Sequence, residues 1–340
     1  MKKALVCGAG GFIGGHLVTY LKNKGYWVRG VDIKEHEFTD IRSIAVDFVV
    51  ADLRDPEKVA SVIDEGMDEV YQLAADMGGA GYIFVGANDA DIMHNSVLIN
   101  LNVAKEAANK NVGRLFYSSS ACVYPEHNQL DPDNPNCIEN TVYPAHPDSE
   151  YGWEKLFSER IFLAFMKNKN LDVRIARYHN IFGPYGTWTG GREKAPAAMC
   201  RKAAMEKSGG SIEVWGPGNQ TRSFLYVDEC VEATYRLMQS DFVGPVNIGS
   251  EEMISINDFA KMAINISGKD LEVDNIQGQE FIDKYGHECP IGVNGRCSDN
   301  SLYSEKVGWT VSAPLREGME KTYAWIAEQV EKNKLLSLTL

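Results

Sequence analysis

The sequence lacks the features that would direct a protein to a membrane, to nucleic acid or out of the cell. None of its apolar runs is long enough to span a bilayer, and the short apolar run after Met1-Lys2-Lys3 has neither the length nor the cleavage site of a signal peptide. Basic residues are outnumbered, with 34 Lys and Arg against 47 Asp and Glu, so the net charge of −13 opposes binding to polyanions. We therefore expect a cytoplasmic protein with neither a nucleic-acid partner nor a membrane partner.

Paired cysteine motifs are missing as well. The seven cysteines are an odd number, they are scattered along the chain, and no two of them form a CxxC pair. This pattern argues against a structural zinc site and a redox dithiol, and it predicts free thiols in a reducing compartment and no bound metal. The seven are Cys7, Cys122, Cys137, Cys200, Cys230, Cys289 and Cys297.

What the sequence does have is a regular alternation of strand-like and helix-like segments. The apolar run 4–7 ends at Gly8, and apolar residues then recur at helical spacing from Phe12 to Leu21. Strands that alternate with helices predict an α/β protein with a Rossmann-type, doubly wound parallel sheet covered on both faces. The later strand-like runs are 27–31, 48–50, 69–73, 115–117 and 173–176.

The first strand-to-helix turn carries a glycine pattern suited to a dinucleotide. Gly8, Gly11 and Gly14 let the backbone turn tightly and approach a pyrophosphate at the N-terminus of the helix that starts with Phe12 and Ile13. The position of this pattern directly after an apolar strand makes it much stronger evidence than the glycine spacing alone. We therefore predict a dinucleotide cofactor bound at this turn.

The ends of the next two predicted strands indicate which dinucleotide is bound. Asp32 is placed to accept hydrogen bonds from the adenosine ribose hydroxyls, and its charge opposes a 2′-phosphate, so NAD is predicted over NADP. The nearby Lys34 offers a positive charge to a 2′-phosphate, so NADP stays open as the alternative. Asp52 follows the third strand, where it suits either a contact with adenine or the N-cap of a helix.

Composition changes after about Gly183, where loops rich in Gly, Pro and Trp begin. The length fits one domain with an appendage or two domains. We predict a NAD-binding domain over 1–182 with a return segment at about 225–250. Residues 183–340 are predicted to form a smaller mixed lobe that binds the substrate over the carboxyl edge of the sheet, with a final helix over 315–332.

Two further motifs indicate redox chemistry on a hydroxyl group. Tyr151 and Lys155 are four residues apart and therefore lie on one face of a helix. The lysine charge is expected to lower the pKa of the phenol, so that Tyr151 can act as a base while the nicotinamide takes a hydride. Ser120, which follows a predicted strand, is placed to hydrogen-bond the reacting oxygen.

Together with the glycine loop, these motifs resemble the extended short-chain dehydrogenase/reductase family. Within that family, the chain is similar over nearly its whole length to the nucleotide-sugar epimerases that act at C3 and C5 of GDP-mannose. The resemblance implies NAD as cofactor, a GDP-hexose as substrate and a homodimer. It is carried by segments 74–79, 119–126, 179–184, 190–198 and 220–224, of which Ser-Ala-Cys and Gly-Arg-Glu-Lys-Ala-Pro are the most specific.

The chemistry of such a reaction gives roles to Cys122 and Lys194. Oxidation at C4 leaves a ketone, which acidifies the hydrogens on C3 and C5 because their carbanions delocalise as enolates. Inversion then needs a base on one face of the ring and an acid on the other, after which the hydride returns to C4. A nearby positive charge is expected to favour a Cys122 thiolate. A buried apolar role for Cys122 and a solvated charge for Lys194 are the alternatives.

The resemblance also implies a set of binding residues. It places Lys202, Arg222 and Arg296 near the diphosphate, where an acidic protein needs local cations. It places Ala74 beside the cofactor. The residues implied to contact the sugar or the phosphates are Gly78, Ser120, Ala121, Cys122, Asn180, Glu193, Lys194, Ala195 and Gln220.

Three other functions are considered for the same fold. A 4,6-dehydratase would be expected to have an Asp-Glu pair at the positions of Ala121 and Cys122. An epimerase that acts only at C4 has no need of Cys122 and Lys194. A non-catalytic NAD-binding sensor would be expected to lack the Ser, Tyr and Lys set. Segment 277–290 is longer than we expect of the plant enzymes that the chain resembles, which leaves the exact sugar or base open.

Overall fold

The computed structural model describes residues 1–339, and side chains through residue 335. The strands are β1 (Lys3–Cys7), β2 (Trp27–Asp32), β3 (Asp47–Val50), β4 (Glu69–Gln72), β5 (Arg114–Ser120), β6 (Val173–Tyr178), β7 (Ile181–Phe182), β8 (Gly210–Trp215), β9 (Thr221–Ser223), β10 (Leu225–Tyr226), β11 (Pro245–Ile248), β12 (Met253–Ser255), β13 (Leu271–Ile276) and β14 (Gly295–Arg296). The helices are α1 (Phe12–Asn23), α2 (Ile41–Ile44), α3 (Pro56–Val62), α4 (Ala80–Ile83), α5 (Asp89–Asn109), α6 (Glu150–Lys169), α7 (Ala195–Met205), α8 (Val227–Gln239), α9 (Ile256–Ser267), α10 (Gly278–Tyr285), α11 (Ser301–Val307) and α12 (Leu315–Thr339).

A seven-stranded parallel sheet forms the centre of the fold, in the order β11-β6-β5-β4-β1-β2-β3. The predicted doubly wound sheet is therefore confirmed, and all six predicted strands belong to it. The crossovers change direction between β1 and β4, which opens a crevice at the carboxyl ends of these strands. Ligands of open α/β sheets bind in such a crevice.

Both faces of the sheet are buried, as the apolar strands require. Ala4 and Val6 of β1 pack in one core with Leu17 of α1, whereas Leu5 and Cys7 pack in a second core on the other face. This alternation follows from the two-residue period of a strand. Helices α1 and α8 cover the first face, and α3, α5 and α6 cover the second.

The part of the chain after residue 182 builds three small sheets and returns once to the main sheet. Their strand orders are β10-β7, β12-β9-β14 and β13-β8, and helices α7, α9 and α12 pack together beside them. Strand β11 pairs in parallel with β6 at the edge of the main sheet. No helix within residues 1–339 combines the length and apolar character needed to cross a bilayer.

The last helix is longer than predicted. It begins at Leu315, as expected, but continues to Thr339 instead of ending at Lys332. The prediction of its end was wrong because the residues after Lys332 include leucines and a lysine and contain neither Gly nor Pro, so nothing in them stops a helix.

Candidate active site

A large cavity of about 1040 Å³ lies over the carboxyl ends of the sheet strands. It extends from the glycine loop after β1 to helix α7 and strand β9 of the smaller lobe. Every residue that the sequence analysis assigns to cofactor, substrate or catalysis lines this cavity. The structure thus brings the whole predicted set together, while the role of each residue stays a prediction.

The glycine loop has the geometry that a pyrophosphate needs. Gly8 has a φ of 84°, in the left-handed region that favours glycine, and a Cβ on Gly14 would lie 2.0 Å from the carbonyl oxygen of Gly8. Helix α1 begins directly after Gly11, with no side chain capping its N-terminus and no acidic residue in its first turn. This N-terminus therefore suits a phosphate, and the loop fits a bound dinucleotide.

Asp32 lies at the end of β2 and faces the same loop. Its carboxylate accepts a hydrogen bond of 3.0 Å from the backbone N–H of Gly10. Burial raises the pKa of Asp32, although backbone hydrogen bonds from Lys34 and Gly10 act in the opposite direction. The carboxylate is thus fixed at the place where the ribose of NAD is predicted.

Asp52 is not a helix cap. The N-cap of α3 is Asp55, whose carboxylate accepts a hydrogen bond of 2.8 Å from the N–H of Glu57, so the capping alternative for Asp52 was wrong. The Arg54 side chain donates to the Asp52 carboxylate, with Nη2 at 2.7 Å from Oδ2, and these hydrogen bonds lower the pKa of Asp52. Asp52 is left on the cavity wall beside the glycine loop, where an adenine contact remains the prediction.

Ser120, Tyr151 and Lys155 form the buried floor of the cavity. Ser120 ends β5, and its hydroxyl lies near the Tyr151 phenol, whose pKa it acts to lower. Lys155 Nζ donates to the carbonyl oxygen of Ser118 at 3.1 Å and lies 5.6 Å from the centre of the Tyr151 ring. Helix α6 carries both residues and begins at the N-cap Ser149, so the sequence placed them correctly on one helix.

The expected effect of Lys155 on Tyr151 was wrong. Burial raises the pKa of Tyr151, with the charge of Cys122 acting in the same direction, and burial lowers the pKa of Lys155. The spacing of the two residues does not reveal that both are almost fully buried. Desolvation of the phenolate is therefore the main influence on the pKa of Tyr151.

Cys122 meets a cation that the sequence analysis did not assign to it. It lies in the 3₁₀ turn Ala121–Val123 after β5, and its backbone N–H donates to Ser120 Oγ at 3.2 Å. Nη1 of Arg296, from β14, donates to the sulfur at 3.1 Å. The positive charge expected beside Cys122 is thus supplied by the residue that the resemblance placed near the diphosphate.

Arg296 is held on all sides by protein groups. Its Nε donates to Gln129 Oε1 at 2.6 Å, and its Nη2 donates to Asp148 Oδ2 at 3.0 Å. Burial alone would lower the pKa of Arg296, but Cys122 and Asp148 raise it. Sequence reasoning missed Gln129 and Asp148, because neither belongs to a motif, and the position of Asp148 just before the start of α6 is the one local signal.

Lys194 is carried by a tightly packed loop. It is the N-cap residue of α7, and burial lowers its pKa. The preceding Glu193 carboxylate accepts from the N–H of Gly191 at 2.7 Å and from Arg201 Nη2 at 2.8 Å, so it shapes the loop. Gly79 lies against the same loop, since a Cβ on it would be 2.3 Å from the carbonyl oxygen of Glu193. Lys194 therefore depends on this close approach for its position.

Arg222 is the cation of the site that is most available to bind an anion. Its Nη1 and Nη2 donate to the carbonyl oxygens of Thr221 and Val293 at 2.8 and 2.7 Å, and it pairs with no carboxylate in the described chain. Burial, and next the charge of Arg296, lower the pKa of Arg222 to about 10. It nevertheless stays charged near neutral pH, so it suits a phosphate or another anion.

The other predicted binding residues are held by the lobe around them. Lys202 Nζ donates to the carbonyl oxygen of Glu213 at 2.6 Å, and its burial lowers its pKa. Gln220 donates to the carbonyl oxygen of Trp215 at 3.3 Å, while its Oε1 is buried without a partner in the described chain. Asn180 donates to the carbonyl oxygen of Ser223 at 2.9 Å. The unpartnered oxygen of Gln220 suits a hydrogen-bond donor of a ligand.

The long segment 277–290 belongs to the wall of the site. Its helix α10 brings Tyr285 to a ring distance of 5.3 Å from Trp215. Glu213 accepts hydrogen bonds from both residues, at 3.0 Å from Trp215 Nε1 and 2.6 Å from the Tyr285 hydroxyl. Trp215, Tyr285 and Ile291 line the cavity, and no sequence motif identifies these three residues as functional.

Comparison with known proteins decides the family. The model of the NAD dependent epimerase/dehydratase family matches residues 4–249. The chain belongs to this family. NAD is therefore its cofactor, in agreement with the glycine loop and Asp32.

Curated relatives within this epimerase/dehydratase family include GDP-mannose 3,5-epimerase from Arabidopsis thaliana. It is 45% identical to this chain over 332 residues, which are 98% of this chain and 84% of the relative. UDP-glucuronic acid decarboxylase 1 from Xenopus tropicalis is only 28% identical over 97% of this chain and 73% of that protein. The crystal structure of UDP-glucose 4-epimerase from Thermotoga maritima shares the fold, with a TM-score of 0.80, 22% identity and coverage of 96% of this chain and 99% of that one.

Proposed function

We propose that this enzyme epimerises GDP-mannose at C3 and C5, giving GDP-L-galactose and GDP-L-gulose, through transient oxidation at C4. The observation that carries the proposal is the placement of Cys122 and Lys194 on the same cavity as Ser120, Tyr151 and Lys155. The 45% identity to the Arabidopsis GDP-mannose 3,5-epimerase supports it. Neither an epimerase acting only at C4 nor a dehydratase makes use of this cysteine and lysine.

Oxidation at C4 is assigned to the floor of the cavity. When bound, NAD supplies the hydride acceptor and brings a positively charged nicotinamide ring. Ser120 and Tyr151 lie together on the cavity floor and are assigned to hold the C4 hydroxyl, whose proton the phenolate form of Tyr151 takes. Lys155 is fixed by its hydrogen bond to Ser118 and holds its charge next to the phenol. Return of the same proton and hydride restores C4, so no external oxidant is consumed.

Inversion at C3 and C5 is assigned to the thiol and the amine. At each centre one group takes the C–H proton and leaves an enolate, and the other gives a proton to the opposite face of the same carbon. Arg296 stabilises the thiolate form of Cys122 through its hydrogen bond to the sulfur. Burial lowers the pKa of Lys194, so its neutral form is more accessible near pH 7 than that of an exposed lysine.

The two parts of the chain divide the ligands between them. We assign NAD to residues 1–182 with the return segment 225–250, and the nucleotide sugar to residues 183–340 with the sheet edge. Arg222 offers its charge to the diphosphate, and Lys202 and Arg296 are further candidates. Gln220 offers its unpartnered oxygen to a donor of the nucleotide or the sugar.

Deuterium exchange tests this function directly. The enzyme is incubated with NAD and GDP-mannose in deuterium oxide, and the sugar is read by NMR. We expect deuterium at both C3 and C5 together with the two epimers. Cys122→Ala should abolish exchange while NAD still binds, and Cys289→Ala, which removes a half-buried thiol that does not itself line the cavity, serves as the control. Absence of exchange at either carbon in the wild type would refute the proposal.

A homodimer in the cytoplasm is part of the same proposal. Helices α5 and α6 pack together and leave Leu101, Trp153 and Phe157 exposed, which are 38%, 40% and 51% accessible. Such apolar side chains on neighbouring helices suit a second copy of the chain. The seven free thiols support a reducing compartment. Light scattering of the wild type and of Phe157→Asp tests the dimer, since only the wild type should have twice the mass of one chain.

A further inference from the structure

The cation beside Cys122 is itself paired with a buried carboxylate. Arg296 donates to the Cys122 sulfur at 3.1 Å and to Asp148 at 3.0 Å, and the side chains of Arg296 and Asp148 are each only 6% exposed. Gln129 holds the third edge of the guanidinium at 2.6 Å. The guanidinium therefore has a fixed position and shares its charge between a thiol and a carboxylate.

Other charged groups also face Cys122. Lys194 approaches from the start of α7 and Arg222 from β9, while Tyr151 and Lys155 approach from α6. Asp148 interacts with the charges of both Arg222 and Arg296. It thus offsets the two arginines near the sulfur, whereas Glu154 and Glu159 offset the charge of Lys155.

Cations beside a thiol favour its thiolate form. A thiolate that is favoured too strongly is a weak base and takes a C–H proton poorly, because a proton-transfer catalyst works best when its pKa lies near the working pH. We propose that Arg296 and Asp148 form a charge pair that sets the acidity of Cys122, with Arg296 favouring the thiolate and Asp148 limiting that effect. The inference rests on the proposed function, in which this sulfur both takes and returns protons, and it makes Asp148 a positioning residue.

The two members of the pair should act in opposite directions. Asp148→Asn removes the charge but keeps an oxygen that can accept from Arg296, whereas Arg296→Gln removes the cation. An opposite charge at this distance shifts a pKa by about one to three units. We therefore expect Arg296→Gln to slow thiol alkylation at pH 7 by about tenfold or more. Asp148→Asn should speed it, by up to about tenfold below the wild-type midpoint.

Alkylation by iodoacetamide measures the thiolate without any sugar. The NAD-bound enzyme is labelled over a range of pH, and the rate at Cys122 is read by peptide mass spectrometry. Cys289, half-buried elsewhere in the same chain, is the internal control and should keep its midpoint in both variants. Opposite shifts of the Cys122 midpoint support the charge pair. Shifts in the same direction, or no shift, overturn it.

Two measures keep this test decisive. If Arg296→Gln does not fold, Asp148→Asn alone decides, because an unchanged or raised midpoint contradicts the proposal. Deuterium exchange by the wild type tests the proposed function separately. Opposite midpoint shifts without exchange would refute the function and leave the charge pair standing, whereas exchange with unshifted midpoints would refute the pair alone.

Discussion

Replacement of Gly79 by alanine should separate sugar oxidation from sugar inversion. A Cβ at this position would lie 2.3 Å from the backbone carbonyl oxygen of Glu193, and the N–H of Gly79 donates to the carbonyl oxygen of Arg192 at 3.0 Å. A backbone carbonyl cannot rotate aside as a flexible side chain can. The loop that carries Lys194 must therefore move.

The size of the effect follows from the distances. Ordinary van der Waals contact begins at 3.4 Å, so the loop must retreat by roughly 1 Å from its position at 2.3 Å. A misplacement of about 1 Å can lower a rate about 100-fold, which corresponds to about 2.7 kcal/mol in the barrier. We expect a loss of this order in the exchange that depends on Lys194, because its amine no longer reaches the ring correctly.

The assay compares two readouts in the same protein. Deuterium exchange at C3 and C5 reports inversion, and the absorbance of reduced NAD after mixing with GDP-mannose reports oxidation at C4. Gly81→Ala is the matched control, because its Cβ would lie at an ordinary 3.6 Å from the ring of Trp215. We expect the control to keep both activities and Gly79→Ala to keep oxidation alone.

Two results would refute this reasoning. Unchanged exchange in Gly79→Ala would show that the loop position does not matter for inversion. Equal loss of oxidation and exchange would show that the glycine supports the whole cavity and not Lys194 in particular. A circular dichroism spectrum equal to that of the wild type excludes simple misfolding as the cause.

Three further predictions concern the floor, the anion site and stability. Tyr151→Phe should abolish both cofactor reduction and exchange, whereas Lys194→Met should abolish exchange alone, as absorbance and NMR would show. Arg222→Gln should raise the KM for GDP-mannose about 10- to 100-fold with NAD affinity unchanged, because it removes charge-assisted hydrogen bonds to the diphosphate; initial rates and a cofactor titration test this. Burial lowers the pKa of His179 to about 3 and that of His36 to about 4, from an ordinary 6.5. The unfolded chain therefore binds these protons first, so the urea midpoint should fall as pH drops below 6.5 and fall less in His179→Asn.

Much of the fold could be predicted because its signals are local. Each buried strand is a short apolar run. The turn after β1 can be recognised from its glycines, because the backbone segments approach too closely there for a Cβ. The end of α12 could not be predicted as well, since the residues after Lys332 contain no Gly or Pro that would mark it. The pairing of β11 with β6 joins segments about 70 residues apart, so it required the three-dimensional structure.

The active-site contacts likewise divide into those that a local motif predicts and those that join distant parts of the sequence. Ser120, Tyr151 and Lys155 lie in motifs whose spacing fixes their placement, and the structure brings them together as expected. The contact between Arg296 and Cys122 spans 174 positions, and that between Arg296 and Asp148 spans 148. No local pattern encodes such contacts, which is why the cation beside the thiol could be expected but not named.

The burial of the site residues could not be predicted from the sequence either. The spacing of Tyr151 and Lys155 correctly placed them on one helix, yet the predicted direction of the phenol pKa was wrong. Spacing describes which groups are neighbours, whereas desolvation depends on what every other element covers. A charge effect inferred from a motif is therefore secure only when the exposure of both partners is known.

In the proposed mechanism, the positions of the site residues predict that oxidation and inversion can be separated in one active site. Ser120, Cys122 and Tyr151 come from the edge of the main sheet and the helix packed on it, whereas Lys194 comes from a loop of the smaller lobe. Oxidation at C4 needs only the first group, but inversion needs a proton donor and an acceptor on opposite faces of the ring. We therefore expect this enzyme to gain inversion at C3 and C5 from the position of one lobe loop over the sheet edge, and we expect the close approach at Gly79 to hold the loop there.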